Sequence, residues 1–200
     1  LELPCNDTLT STGIKALPPL LDVLNLSWMS TTVTSTLVEY LPRSLRTLIL
    51  TRSKEFKEQY FTLLPRTLEH LDIRFCSNIT GKRFGDLPGG LLYFNCEFSR
   101  NIGETTLAML PRKLTYLNLG EAENLTTKSL SDLPTALTYL DIWNANISPK
   151  SLNLLPESLL TLKLGGSSIN YDAAALATLP KNLTHLNMES ANVAPSALSS

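Results

Sequence analysis

The chain has no apolar run near the ~20 residues needed to cross a bilayer, and no secretory leader pattern at its N-terminus. No sign of charge prevails. There are 17 basic and 18 acidic residues, a formal net charge of −1 over 200 residues. That balance argues against the basic face of a nucleic-acid-binding protein. Cysteine is scarce. Cys5, Cys76 and Cys96 are an odd set that cannot all pair within the chain, and no CxxC spacing marks a metal or redox site. Buried free thiols in a reducing, cytoplasmic compartment account for them. His70 and His185, the two histidines, lie far apart, which speaks against a shared metal site. A glycine-rich phosphate loop, a paired-carboxylate site and a nucleophile motif are all missing. No enzyme and no cofactor is expected.

What is present is a repeat. The pair Leu-Pro falls at Leu17, Leu41, Leu64, Leu87, Leu110, Leu133, Leu155 and Leu179, at successive spacings of 24, 23, 23, 23, 23, 22 and 24 residues. Such self-similarity signals stacked supersecondary units, none of which can bury its apolar face alone. The whole of 1–200 reads as one array of about eight repeats of 22–24 residues. Leu1-Glu2-Leu3 matches the strand of an earlier repeat, Pro195 to Ser200 falls in the variable half of the last, and neither end shows a polar cap. A longer parent array is therefore expected.

Each repeat reads L-P-x-x-L-x-x-L-x-L. The closing L-x-L has strand period, with two inward residues around one outward residue. The inward pairs include Leu71/Ile73, Phe94/Cys96 and Leu117/Leu119, and an earlier leucine (Leu68, Leu91, Leu114) adds a third buried column. A variable half follows, for which a short helix of about two turns is expected, capped near Thr126 or Thr127. Pro134 ends it by disfavouring helical geometry at Leu133. Strand, loop, helix and turn in this order make successive strands parallel and the coil right-handed.

Leu68 to Thr80, LEHLDIRFCSNIT, resembles the cysteine-containing subclass of the leucine-rich repeat family position for position. Elsewhere the cysteine position holds Ser53, Ser99, Ala122, Ala145, Ser167 or Ala191, with Met29 the exception. The resemblance implies an α/β fold, a right-handed horseshoe solenoid with a concave parallel sheet and short helices or irregular segments on its convex side. It also implies a protein partner on the concave face. By the same resemblance the parent protein would be a substrate-recognition subunit of a ubiquitin ligase. The asparagine that ties neighbouring coils in this family is missing, which predicts a less regular ladder.

Three outward columns would line the concave face. Tyr93, Tyr116 and Tyr139 fall in the first, and at ~4.8 Å between strands they should stack on the open surface. Trp143 falls in the third, on the same side as Asp141, and Tyr and Trp are the residues most enriched at binding hot spots. These four are the candidate contact residues. His70, Asp72 and Arg74 alternate on one outer strand; without a nucleophile they read as a polar contact surface rather than a catalytic set. Arg43, Arg66, Arg112 and Lys181 follow Leu-Pro and read as a solvated basic edge. Six N-x-S/T triplets, at Asn6, Asn25, Asn78, Asn124, Asn146 and Asn182, keep a second reading open, a secreted or host-directed recognition protein.

Overall fold

A computed structural model describes residues 1–6, 8–29, 33–166 and 169–194. Ser167 and Pro195 to Ser200 lie outside the described residues. The strands are β1 (Val23–Asn25), β2 (Thr47–Ile49), β3 (His70–Asp72), β4 (Tyr93–Asn95), β5 (Tyr116–Asn118), β6 (Tyr139–Asp141), β7 (Thr161–Lys163), β8 (Asn170–Tyr171), β9 (His185–Asn187) and β10 (Asn192–Val193). Eight of them form one parallel sheet in the order β1-β2-β3-β4-β5-β6-β7-β9; β8 and β10 pair separately. The register is one residue to its repeat-mate throughout: Leu48 pairs with Leu71, Leu71 with Phe94, Phe94 with Leu117 and Leu117 with Leu140.

The inward columns superpose from coil to coil. Leu68, Leu91, Leu114 and Leu137, with Leu71, Phe94, Leu117 and Leu140, are fully buried in one continuous core. The convex side departs from the expected α-helices. Among the described residues only Ser11–Lys15 (α1), Ser35–Glu39 (α2) and Ala173–Leu176 (α3) are α-helical, capped by Thr10, Thr34 and Asp172. The other five segments are 3-10 helices, Glu58–Leu63, Phe84–Asp86, Leu107–Met109, Thr127–Asp132 and Pro149–Leu154. The reason is spacing. Strands ~4.8 Å apart cannot each carry a helix ~10 Å wide without splaying, and the tighter 3-10 form reduces the mismatch. The leucine before the proline is extended at Leu64, Leu87, Leu110, Leu133 (φ −60°, ψ 145°) and Leu155, so the Leu-Pro stop acts there as expected.

The ladder is also more regular than the missing asparagine predicts, because other residues take over its work. Ser53 Oγ donates to Leu26 O of the preceding coil at 3.4 Å, Cys76 Sγ to Ser53 O at 3.4 Å, and Ser99 Oγ to Cys76 O at 3.5 Å. The basic residues after Leu-Pro are not a free edge. Arg43, Arg66 and Arg112 each donate to a carbonyl one coil onward (Leu63, Asp86 and Asp132) at 2.8 to 2.9 Å. Lys181 Nζ reaches Ala177 O at the end of α3 at 2.8 Å. Cations there satisfy carbonyls that the helical turns leave open.

Candidate interaction face on the concave sheet

The first residue of each strand points out of the sheet, and from β3 to β6 that residue is a ring. His70 and Tyr93 stack at 3.7 Å between centroids and 6°, Tyr93 and Tyr116 at 4.0 Å and 13°, Tyr116 and Tyr139 at 4.1 Å and 9°. The rings lie closer than the strands that carry them, so they tilt into van der Waals contact. All four are half-buried, and Lys163 Nζ closes the row 5.8 Å from the Tyr139 ring. Burial, and then the neighbouring phenols, push the Tyr116 hydroxyl above the usual tyrosine range. Burial lowers the His70 pKa, against the pull of Asp72. His70, expected only as a polar contact, is thus the first rung of the aromatic ladder.

The second column was expected to lie open and is instead sunk. Asp72, Asn95, Asn118 and Asp141 are 2 to 5% exposed. Each Oδ1 accepts the backbone N–H two residues on: from Arg74 at 3.1 Å, Glu97 at 3.2 Å, Gly120 at 2.8 Å and Trp143 at 3.0 Å. The side chains therefore fix the turn that leaves each strand, a local Asx bond that Asn and Asp make more strongly than Ser or Thr. Arg74 Nη2 pairs with Asp72 Oδ2 at 3.0 Å and Lys163 Nζ with Asp141 Oδ2 at 3.6 Å. Asp72 and Asp141 support the face from beneath.

Trp143 does not join the tyrosines. Its indole lies across Gly166 of the next coil, where a Cβ would overlap it. The Asx column separates it from the ladder, so the aromatic surface is two patches rather than one stripe. Between them Glu97 folds over Gly120 toward Asp141; burial, then the Asp141 charge, raises its pKa.

One column escaped the sequence reading. The residue after the third concave position has positive φ in every coil: Trp28, Arg52, Phe75, Phe98, Glu121, Asn144 and Ser190 at 58 to 67°, and Gly166 at 72°. From Trp28 to Gly166 this turns the N–H onto the next coil, as from Phe75 to Glu97 O at 3.0 Å and from Phe98 to Gly120 O at 2.9 Å. The first four line the rim of the sheet. Arg52 lies 4.2 Å over Trp28 and 4.6 Å over Phe75, and Phe75 stacks on Phe98 at 4.3 Å. The signal was available: each stands 11 residues after the leucine of its Leu-Pro pair.

Among the described residues no group of His, Cys, Asp and Glu could hold a metal, and no helix is long and apolar enough to cross a membrane. Of the glycosylation triplets, Asn78, Asn124 and Asn182 already donate to carbonyls of the preceding coil at 2.6, 3.1 and 2.9 Å.

No protein-family model matches the chain, and no curated protein does. Solved structures do. The leucine-rich repeat-containing protein LegL7 from Legionella pneumophila is similar at 19% identity and TM-score 0.63, over 93% of this chain and 72% of that one. An internalin, inlF, from Listeria monocytogenes is similar at 19% identity and TM-score 0.66, over 90% of this chain and 59% of its own length. The yeast Rad7 and Elc1 complex is similar at 16% identity and TM-score 0.64, over 98% of this chain and 71% of that one. Paired strand for strand in one parallel sheet, with its leucines in register and these structures superposing on it, the chain has the leucine-rich repeat fold.

Proposed function

We propose that the chain is a non-catalytic interaction module that holds a protein partner on its concave sheet, with His70, Tyr93, Tyr116 and Tyr139 as the central contact and Trp143 and Arg74 beside it. The observation that carries this is the four-ring stack. Rigid, half-buried aromatic side chains lose little entropy on binding and offer large area with polar tips. The support beneath them is fixed by buried Asx bonds, so the face is pre-organised. The similarity to Rad7, which is found in complex with Elc1, fits a protein-assembly role.

The test replaces Tyr93, Tyr116, Tyr139 and Trp143 by alanine together. Proteins recovered from the source organism on the native chain are identified and their affinities measured against both forms, with circular dichroism to verify folding. Loss of at least one saturable partner from the folded variant is expected. Recovery of the same partners at the same affinity would sink the concave-face reading.

A further inference from the structure

We infer that the rim formed by Trp28, Arg52, Phe75 and Phe98 is a second docking surface, for a carboxylate-bearing segment of a partner protein running along the strand exits. The left-handed conformation suits Gly and Asn, and Asn144 and Gly166 occupy it in later coils. From Trp28 to Gly166 each residue in the column donates its N–H to the next coil whatever its side chain, so local structure does not ask for Trp, Arg or Phe. Four consecutive coils nevertheless place large side chains in a conformation that disfavours them, and such strain gathers where a surface has work to do.

The stack itself indicates what the surface would receive. Arg52 is covered on one face by Trp28 and on the other by Phe75, and Phe75 is covered by Phe98 at 16°. Inner ring faces are thus occupied, and edges point outward. Ring edges carry positive partial charge, and the edge of a guanidinium carries its N–H donors in a planar fork. The rim is therefore a row of donors to an anion, with a bidentate carboxylate the matching partner for Arg52. Trp28 is 51% exposed and Arg52 is exposed. Among the described residues no carboxylate pairs with Arg52, whereas Arg100, beyond the far end of the stack, is neutralised by Glu121 at 3.3 Å and Glu123 at 3.4 Å. Covered faces also disfavour single-stranded nucleic acid, whose bases need open rings on which to stack.

The experiment selects displayed random short peptides on the immobilised chain. The most enriched peptide is then measured by fluorescence polarisation against the native chain, Arg52→Asn, Phe75→Asn, and the concave Tyr93→Ala/Tyr116→Ala/Tyr139→Ala variant. We expect enriched sequences with Asp or Glu beside an aromatic or aliphatic residue. Arg52→Asn should weaken binding about tenfold or more, and added salt should weaken it further. The melting temperature of Arg52→Asn should be unchanged or higher, because Asn suits the left-handed position; the concave variant should bind as the native chain does. Four results would each overturn the rim proposal: no acidic enrichment, binding indifferent to Arg52→Asn, a melting temperature lowered by more than about 4 °C, which would make the stack structural cement, or tighter binding of oligo-dT than of any peptide. Peptides lost on the concave variant but kept by Arg52→Asn would count against the rim and for the concave face.

Discussion

β5 and β9 are written almost alike, as Thr115-Tyr116-Leu117-Asn118-Leu119 and Thr184-His185-Leu186-Asn187-Met188. Their local structure is alike too. Asn118 Oδ1 accepts from Gly120 N, and Asn187 Oδ1 from Glu189 N, both at 2.8 Å. Their burial is not. Leu117 is 0% exposed and Leu186 41%; Asn118 is buried and Asn187 exposed. The difference lies in neighbours: β5 sits between β4 and β6, while among the described residues β9 pairs with β7 alone in its sheet. A repeat thus encodes its own conformation, and adjacent coils decide what that conformation encloses, as nearest-neighbour stacking requires.

The apolar position should show the largest contrast between the two strands. Leu117→Ala should cost about 3 kcal/mol and Leu186→Ala about 1 kcal/mol, because only the first leaves a cavity closed on both sides. Equal losses by urea denaturation would mean that burial does not follow the neighbour count. The polar position gives a smaller contrast. Asn118→Ala strands a buried N–H and should cost about 2 kcal/mol; Asn187→Ala leaves its N–H to water and should cost about 0.5 kcal/mol. Denaturant midpoints for the two variants would show the separation or its absence.

Titration sharpens the picture further. Burial lowers the pKa of His70 from its ordinary 6.5, so as pH falls the unfolded chain takes up this proton first. Its contribution is full above pH 6.5 and is lost as pH falls below that value toward the lower folded pKa. Asp141 and Glu97, both raised chiefly by burial, act in the opposite sense nearer pH 4. Their contribution is lost as pH rises through the carboxylate range. Stability should therefore climb modestly as pH rises toward 6.5. His70→Gln should flatten that climb in melts across the range. The mildest probe is thiol labelling. Burial pushes Cys76 up to about 12 and Cys96 well above its ordinary value, while Cys5 is exposed. Iodoacetamide at neutral pH should label one thiol in the folded chain and three in urea, counted by mass.

Much of the fold was legible because the leucines report it directly. A Leu-Pro period of 22 to 24 residues fixes where each strand begins, and L-x-L fixes which side chains face in. The tyrosine stack was legible for the same reason, since Tyr93, Tyr116 and Tyr139 share one offset within that period. Asp72 and Asp141 were not: alternation assigns them outward, and the Asx bond that draws them down depends on the turn beyond the strand. Trp143 was misplaced beside the tyrosines because its direction depends on the space above Gly166, a residue of another coil.

The sequence by itself determined the repeat, the strand register and the buried columns, since these follow from side-chain period and the need to cover apolar surface. Tertiary structure alone decided what happens at the strand exits: which rim rings stack, which arginine is sandwiched and which carboxylate is sunk. Those outcomes depend on backbone conformation at the strand exits and on packing between coils, where residues 20 and more positions apart come within a few ångströms.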